Sequence, residues 1–357
     1  MEQIRDYLEA QERLLHLSNL SNKQSLFNFS GANAILREFQ NNLSAVHDPK
    51  ARILTALYIP TFILAFCGNL LTIYVILKHR ELRKVKNVFL VNLAFADIAV
   101  TIVCMPPQVG MTLYRLWIYG EWLCKLSAYL QGVSVTASVF TLSVMSIDRF
   151  LAAKQPRHIR RLTTWRSAAK TLVVIWGLPC IFIGPVLYVR TVKSVELPMV
   201  TAKFCVEDWA EPSHRVIYVI FLLIVTYALP SVAVGCSYLM IGHYVISADK
   251  RQTNPTWKNI SRRVVRMLVV LVMAFIICWL PYNINSLTVD IVQNNLGLQI
   301  LPFTLWLGHT HSAADPIIYY SLHKNLRFYM RDTLTSGCRN SCEKKNNSNN
   351  CTPVPLR

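Results

Sequence analysis

The amino-acid sequence contains seven long apolar segments that are almost free of charged residues, and this feature constrains the fold more than any other. A helix needs about 20 mainly apolar residues to cross the hydrocarbon core of a bilayer. Seven such segments with short connections are too many to be buried helices of one soluble core. The sequence therefore predicts an all-α integral membrane protein, a seven-transmembrane helix bundle. The predicted spans are residues 53–77, 87–111, 126–147, 168–189, 216–245, 264–289 and 300–321.

The composition excludes several other classes of protein. Charged residues make up only 16% of the 357 residues and hydrophobic residues 53%, whereas soluble domains carry about 25% charged residues. This apolar content is too high for a mainly disordered chain. The 12 glycines show no triplet period, which excludes a collagen-like fibre.

Lys and Arg are concentrated on one side of the predicted membrane. They cluster between spans one and two, three and four, and five and six, and in the C-terminal tail, whereas basic and acidic residues balance on the other side. The positive-inside rule makes the basic segments cytoplasmic and the N-terminus extracellular. The net charge of +18 then favours contact with anionic lipid of the inner leaflet. It does not indicate nucleic-acid binding, because the basic residues form no patch with interleaved aromatic residues on a soluble unit.

This topology divides the chain into four regions. They are an extracellular tail (1–50), the seven-transmembrane domain (51–322), a short amphipathic helix on the membrane surface (323–335) and a cytoplasmic tail (336–357). Glycosylation triplets begin at Asn19, Asn28 and Asn42 in the extracellular tail. Cys338 and Cys342 in the cytoplasmic tail are candidates for palmitoylation, with unmodified thiols as the alternative.

The topology also sorts the 10 cysteines. Most lie within the spans or in the cytoplasmic tail, where thiols stay reduced. Cys124 and Cys205 are left as the cysteines of the extracellular segments. We therefore predict a disulfide that joins the loop after span four to the outer end of span three; free thiols are the alternative.

Ionisable residues inside the spans are costly and are usually functional. Asp97 lies midway along span two, and Asp315 lies in span seven directly before Pro316. On facing helices these carboxylates would attract a cation or share a proton. Prolines that can act as hinges occur in the last three spans, at Pro230, Pro281 and Pro316. Buried charge and hinges together favour a protein that switches between two states.

Each span also carries a short motif, and the motifs follow a fixed order. They are Gly68-Asn69, Leu93-Ala94-Phe95-Ala96-Asp97, Cys124 with Asp148-Arg149-Phe150, Trp176, Pro230 with Tyr238, Phe275 with Cys278-Trp279-Leu280-Pro281, and Asp315-Pro316-Ile317-Ile318-Tyr319. Over residues 50–335 the chain thus resembles the rhodopsin-like (class A) G-protein-coupled receptors. It departs from the family pattern at Phe150, where Tyr is usual, and at Asp315, where Asn is usual.

The resemblance implies a plasma-membrane receptor, without enzymatic activity, that binds an extracellular ligand and activates an intracellular heterotrimeric G protein. It also implies arrestin as a partner and no cofactor other than an allosteric sodium ion. The implied activation switch consists of Asp148, Arg149, Tyr238, Phe275, Trp279, Pro281, Asp315, Pro316 and Tyr319. The inner end of span six reads Ser261-Arg262-Arg263 and offers no acid to hold Arg149, so we expect basal signalling.

The family's sodium site maps to Asp97, Ser138 and Asp315, next to Trp279. His311 stands where an Asn often assists in binding the ion. A protonated His311 that takes the place of the cation is therefore the alternative to sodium.

The ligand class follows from the same resemblance. Gln131 occupies the position at which receptors for amines carry Asp, so an amine ligand is disfavoured. The loop 190–215 is similar to the hairpin of peptide receptors. Asp290 stands where receptors for amidated peptides hold a carboxylate for a ligand arginine, with an ordinary solvated acid as the alternative. The pattern is that of neuropeptide Y and RFamide receptors, with these predicted ligand-binding residues: Gln108, Gln131, Glu207, Asp208, Tyr282, Asn283, Asp290, Leu301, Leu305 and His309.

Other functions fit the sequence less well. A class A receptor for a non-peptide small molecule or a lipid is the first alternative to a neuropeptide receptor. A transporter would show internal repeats, and the two halves of the chain show none. An intramembrane enzyme would show paired catalytic groups, whereas the receptor motifs already account for Asp97 and Asp315. Residues 300–321 contain no Lys, which excludes retinal bound as a Schiff base.

Overall fold

The computed structural model describes residues 48–154, 164–197, 200–248, 255–292 and 295–346. Each predicted span lies within one of the helices α1 to α7, so the predicted helix bundle is confirmed. The helices are α1 (Pro49–Lys78), α2 (Val85–Val103, resuming as Met105–Tyr114), α3 (Gly120–Lys154), α4 (Trp165–Phe182, resuming as Gly184–Val189), α5 (Pro212–Leu222, through Leu223–Ala228, to Leu229–Ala248), α6 (Pro255–Val292), α7 (Asn295–Leu322) and α8 (Lys324–Asn346). The predicted sites Asn19, Asn28 and Asn42 lie outside the described residues.

Helices of the described ranges have the length and composition of membrane spans. Those that qualify on both counts are Pro49–Lys78, Asn87–Tyr114, Gly120–Asp148, Pro212–Ser237 and Arg266–Val292. The other two helices of the bundle, α4 and α7, contain more polar residues. Polar residues of α7 point into the bundle, since His309 and Asp315 are fully buried. Large apolar side chains such as Val173 and Leu239 are instead exposed on the outside of the bundle, as expected where lipid replaces water.

Prolines explain the irregular places in the helices. Helix α2 is interrupted at Cys104, just before the consecutive prolines Pro106 and Pro107. In α5, Pro230 has no N–H to donate to the carbonyl of Thr226, and its ring would clash with that carbonyl. The widened π-helical segment Leu223–Ala228 contains this carbonyl. Residues at both breaks, Cys104 and Thr226 among them, line the cavity described below.

A two-stranded hairpin closes one end of the bundle, between α4 and α5. Its antiparallel strands are β1 (Arg190–Leu197) and β2 (Val200–Glu207), and Arg190 is paired with Glu207. The predicted disulfide is confirmed: Cys124 at the start of α3 is bonded to Cys205 of β2. The backbone N–H of Trp117 also donates to the carbonyl of Lys203, at 2.7 Å. The hairpin is therefore attached to the bundle at two points, one just before the first turn of α3 (Trp117) and one just after it (Cys124).

Helix α8 packs across the opposite end of the bundle. Its Leu326 and Met330 are buried in the main hydrophobic cluster. His79, at the end of α1, lies with its ring 4.4 Å from that of Tyr329. Helix α8 continues to Asn346, beyond the end predicted at residue 335. Cys338 and Cys342 therefore lie in this helix, but their side chains lie outside the part of the molecule that the structure describes.

Candidate functional site

A cavity of about 340 Å³ lies inside the bundle, next to the hairpin. Most of the predicted ligand-binding residues line it: Gln108, Gln131, Glu207, Tyr282, Asn283, Asp290, Leu301 and Leu305. The other predicted residues lie elsewhere. Asp208 is paired with Lys193 on the exposed surface of the hairpin, at 2.7 Å. His309 is fully buried and its Nδ1 lies 3.0 Å from the hydroxyl of Tyr58.

The position of His309 is explained by the tryptophan of α6. The Trp279 ring lines the cavity and lies with its centroid 6.2 Å from that of His309. It also covers Gly308, since a Cβ added there would lie 2.9 Å from the indole carbons. Trp279 therefore separates this part of α7 from the cavity, and His309 contacts the back of the indole rather than a ligand.

Charged side chains form a network on the hairpin side of the cavity. An Nη of Arg190 donates to Glu207 Oε1 at 2.8 Å, and Trp209 Nε1 donates to Glu207 Oε2 at 3.0 Å. Arg215 places its Nε 3.1 Å from Glu207 and an Nη 2.9 Å from Asp290. Burial acts to raise the pKa of Glu207, but the charges of Arg190 and Arg215 outweigh it and lower the pKa below its ordinary value. Glu207 is therefore ionised across the physiological pH range.

Asp290 differs from the other members of this network. Its side chain is only 2% exposed, which excludes the alternative of a solvated acid. Neither of its carboxylate oxygens has a hydrogen-bond partner of suitable geometry among the described residues. The contact with Arg215 is thus an ion pair without a well-formed hydrogen bond. A buried carboxylate in this condition can accept hydrogen bonds from a donor that enters the cavity.

Arg190, Arg215 and Trp209 are cavity residues that the sequence reasoning missed. Arg190 and Arg215 stand at the two ends of the loop 190–215, in which Glu207 and Asp208 were predicted to bind the ligand. Two acids in a loop next to a buried site require positive partners, because unpaired buried carboxylates are costly. The need of Glu207 for positively charged partners was thus the signal in the sequence that could have pointed to Arg190 and Arg215.

Aromatic rings continue from the cavity floor towards the centre of the bundle. Trp279 packs edge-on against Tyr282, with centroids 5.9 Å apart, and lies 6.5 Å from Phe275. Phe275 in turn packs edge-on against His311 at 5.3 Å. The aromatic rings therefore form a continuous series of contacts from the cavity to the polar centre of the bundle.

That polar centre contains the predicted cation residues. Ligand atoms of Asp97, His311 and Asp315 all lie within 4.8 Å of one another and are buried. Ser312 Oγ donates to one Asp97 oxygen at 2.9 Å, while the other Asp97 oxygen and both Asp315 oxygens have no hydrogen-bond partner among the described residues. Ser138 is also buried. Carboxylate oxygens without a hydrogen-bond partner suit a hard cation, so the residues fit a sodium ion. His311 Nε2 also lies 3.4 Å from Asp315 Oδ1, so a protonated His311 in the place of the cation stays the alternative.

Pro316 lies inside the continuous helix α7, and α1 compensates for the lost backbone hydrogen bond. Pro316 has no N–H for the carbonyl of Ser312. Asn69 Nδ2 donates to that carbonyl at 2.8 Å. Gly68 allows this approach, because a Cβ there would lie 2.6 Å from the ring of Pro316. The Gly68-Asn69 motif thus has a structural explanation in the proline of another helix.

The predicted switch residues at the α8 end are only partly described. Tyr319 is fully buried in the main hydrophobic cluster. Asp148 is half-buried near the end of α3. The side chains of Arg149 and Tyr238 lie outside the part of the molecule that the structure describes.

The hairpin, the central cavity, the aromatic floor and the buried carboxyl cluster define a helix-bundle membrane receptor. The chain matches the family described as 7 transmembrane receptor (rhodopsin family) over residues 68–319. This match covers more than half of the chain, so the protein belongs to the rhodopsin family of seven-transmembrane receptors.

Peptide receptors are among the similar proteins. Neuropeptide FF receptor 2 of Mus musculus is 30% identical over 322 residues, which cover 84% of this chain and 76% of that receptor. Neuropeptide FF receptor 1 of Rattus norvegicus is 33% identical over 301 residues, with coverage of 78% and 69%. Neuropeptide Y receptor type 1 of Xenopus laevis is 32% identical over 296 residues, with coverage of 78% and 80%.

Proposed function

We propose that this protein is a plasma-membrane receptor that binds an extracellular neuropeptide and activates a heterotrimeric G protein. The names of its relatives support a peptide ligand. The observation that carries the proposal is the Arg190–Glu207–Arg215–Asp290 network at the hairpin side of the cavity. A network of this kind favours a charged ligand with many hydrogen-bond donors, as a peptide is, over an apolar one.

The proposed peptide carries a basic residue near an amidated C-terminus. Its guanidinium group would take the place of Arg215 between Glu207 and Asp290, because such a group can donate to both carboxylates. The amides of Gln108, Gln131 and Asn283 offer donors and acceptors to the terminal amide. Leu301 and Leu305 provide an apolar wall for a neighbouring side chain.

Activation follows from a difference in affinity between two states of the bundle. A ligand shifts the population only if it binds the active state more tightly. In the proposed mechanism the ligand moves Trp279, and α6 bends at Pro281 so that its far end swings outward. Arg149, Tyr238 and Tyr319 then frame a groove for the G protein, and arrestin uses the same end of the receptor. The basic cytoplasmic segments complement both partners and the lipid surface.

The carboxyl cluster is proposed as an allosteric sodium site held by Asp97, Ser138 and Asp315. A bound cation would screen the repulsion between the two buried carboxylates and favour the state in which they are close. We expect sodium to lower agonist affinity in the parent receptor and to have no effect in Asp97→Ala. Agonist competition curves in sodium and in choline salts test this, and equal sodium effects in the two proteins would exclude the site.

The proposed orientation places the N-terminal tail, with glycans on Asn19, Asn28 and Asn42, outside the cell. The C-terminal tail, with palmitoyl groups on Cys338 and Cys342, lies inside. Epitope tags at both ends test this topology: only the N-terminal tag should be stained on intact cells. Staining of both tags without permeabilisation would contradict it.

A screen of a neuropeptide library on cells that express this chain tests the ligand class, with calcium and cyclic AMP as readouts. We expect responses to amidated peptides that contain an arginine near the C-terminus, and none in untransfected cells. A response confined to lipids or to non-peptide small molecules would favour the alternative class A receptor and reject the peptide assignment.

A further inference from the structure

The buried carboxyl cluster at the centre of the bundle contains an imidazole, which a site for sodium does not require. His311 and Asp315 stand at positions i and i+4 of α7, and Asp97 approaches them from α2. Side chains at this spacing lie on the same face of a helix. It is also the spacing at which two histidines of one helix bind zinc in metalloproteases. The cluster therefore combines a zinc-binding spacing on α7 with a third potential ligand on another helix.

The distances within the cluster are those of ligands that share one metal ion. His311 Nε2 lies 3.4 Å from Asp315 Oδ1, and neither atom has a hydrogen-bond partner of suitable geometry among the described residues. Zinc binds imidazole nitrogen and carboxylate oxygen at about 2.0–2.2 Å in tetrahedral sites, which places two ligand atoms about 3.3–3.6 Å apart. Ligand atoms of Asp97, His311 and Asp315 all lie within 4.8 Å of one another. A small adjustment of side chains thus suffices to bring all three to one ion.

The chemistry of these ligands favours a divalent transition-metal ion over sodium. Imidazole nitrogen suits zinc, copper and nickel, whereas hard cations prefer oxygen. Two carboxylates balance the charge of a divalent ion, but with sodium they leave one buried negative charge uncompensated, which is costly. Ser312 Oγ donates to an Asp97 oxygen at 2.9 Å and so orients this carboxylate, as groups in the outer shell of metal sites do.

The ligand cavity provides a route by which an ion can reach the cluster. Phe275 and Trp279 line that cavity, and the ring of Phe275 packs edge-on against His311 with centroids 5.3 Å apart. A single aromatic ring therefore separates the cavity from the imidazole. A change in the rotamer of Phe275 would connect the two.

We infer that Asp97, His311 and Asp315 bind one zinc ion, with water as the fourth ligand. The ion joins α2 to α7 and holds the two helices together at the centre of the bundle. Zinc and sodium exclude each other, because both use the carboxylates of Asp97 and Asp315. The inference depends on His311 and on neither the sodium proposal, the peptide ligand nor the G protein.

The test is metal binding to the purified full-length receptor after treatment with a chelator. Zinc is titrated in competition with a fluorescent chelator, and native mass spectrometry counts the bound ions. We expect one zinc ion that depends on the cluster and a higher melting temperature when it is bound, because a ligand of the folded state stabilises that state. Co²⁺ in place of zinc should give the strong visible absorption of a four-coordinate site.

Two variants remove one ligand each and introduce an asparagine, the residue that the family often carries at both positions, so the fold should be preserved. They are His311→Asn and Asp315→Asn. Each should weaken zinc binding at least about tenfold, because even groups in the outer shell contribute about 10- to 100-fold. His214→Asn is the matched control: it removes an exposed imidazole near the start of α5 and should leave zinc affinity unchanged. Thermal unfolding without metal verifies that each variant is folded.

Three results would overturn the inference. Equal zinc affinity of the parent and of His311→Asn would place the ion at other residues. A melting temperature that rises with sodium but not with zinc would make the cluster a sodium site only. Binding of neither ion would favour a protonated His311 in the place of the cation. Failure of the peptide screen, in contrast, would reject the proposed ligand and leave the zinc site unaffected.

Discussion

Gly308 has no side chain because the Trp279 ring occupies the space where one would be. In Gly308→Ala the added Cβ meets indole carbons at 2.9 Å, and overpacking of this kind costs about 1–3 kcal/mol. We expect a lower melting temperature of the purified receptor and a changed basal signal, because the ring must move. Gly177→Ala is the matched control: it has nothing within 4 Å and should be neutral or slightly stabilising. Equal melting temperatures for both variants would contradict this account of Trp279.

Asp290 and Arg215 should have opposite effects on an arginine-containing peptide agonist. Asp290→Asn removes an acceptor for the ligand, and loss of a charged hydrogen bond of about 1.5–3 kcal/mol lowers potency roughly ten- to a hundredfold. Arg215→Gln removes the competing guanidinium and should raise potency. Asp208→Asn alters an exposed acid paired with Lys193 and should change nothing. Concentration–response curves for calcium measure all three, and a loss of potency in Arg215→Gln would refute the competition.

At the scale of elements, one side-chain amide of α1 satisfies a backbone carbonyl of α7. Asn69→Leu removes the donor to the Ser312 carbonyl, and an unsatisfied buried acceptor costs about 1–3 kcal/mol. Ser321→Ala removes a side-chain hydrogen bond within α7 that is exposed and should have little effect. Thermal unfolding of the two purified variants gives the comparison. If Asn69→Leu melts no lower than Ser321→Ala, the Ser312 carbonyl is satisfied in another way.

The spans could be predicted from the sequence because length and hydropathy are local properties, and each predicted span lies within one helix. The contacts between helices could not. Asn69 and Ser312 are 243 residues apart, so the reason for an Asn in α1 appears only when α7 lies beside it. The same holds for Arg215 and Asp290, whose pairing depends on the relative position of α5 and α6. His309 was placed on the cavity wall because sequence spacing does not show that Trp279 covers this part of α7.

At the scale of the whole molecule, the interior of the bundle contains several features that cost free energy. The bundle therefore favours one conformational state over another by only a small free energy. The acidic side chains of Asp97 and Asp315 are buried close together, and prolines interrupt the backbone hydrogen bonds of α5, α6 and α7. Each feature costs free energy that a ligand or an ion can offset. Such a bundle is suited to a change of state driven by a few kcal/mol of differential binding.

We expect the sequence at the start of α6 to influence how much of the receptor is in the active state without ligand. It reads Ser261-Arg262-Arg263 and supplies no acid to pair with Arg149, so we expect the inactive state to lack an ionic contact between α3 and α6. We expect second-messenger levels to rise with receptor density without agonist. Ser261→Glu should lower this basal signal about fivefold, since an ion pair of about 1 kcal/mol shifts a two-state equilibrium by that factor.

Ser261→Gln has nearly the same size as the glutamate variant but no charge, and it should leave the basal signal unchanged. Cell-surface staining normalises each measurement to the number of receptors. A flat response across the density series would show that the inactive state is held by other contacts. Equal effects of Glu and Gln would show that size at this position, and not charge, controls the position of α6.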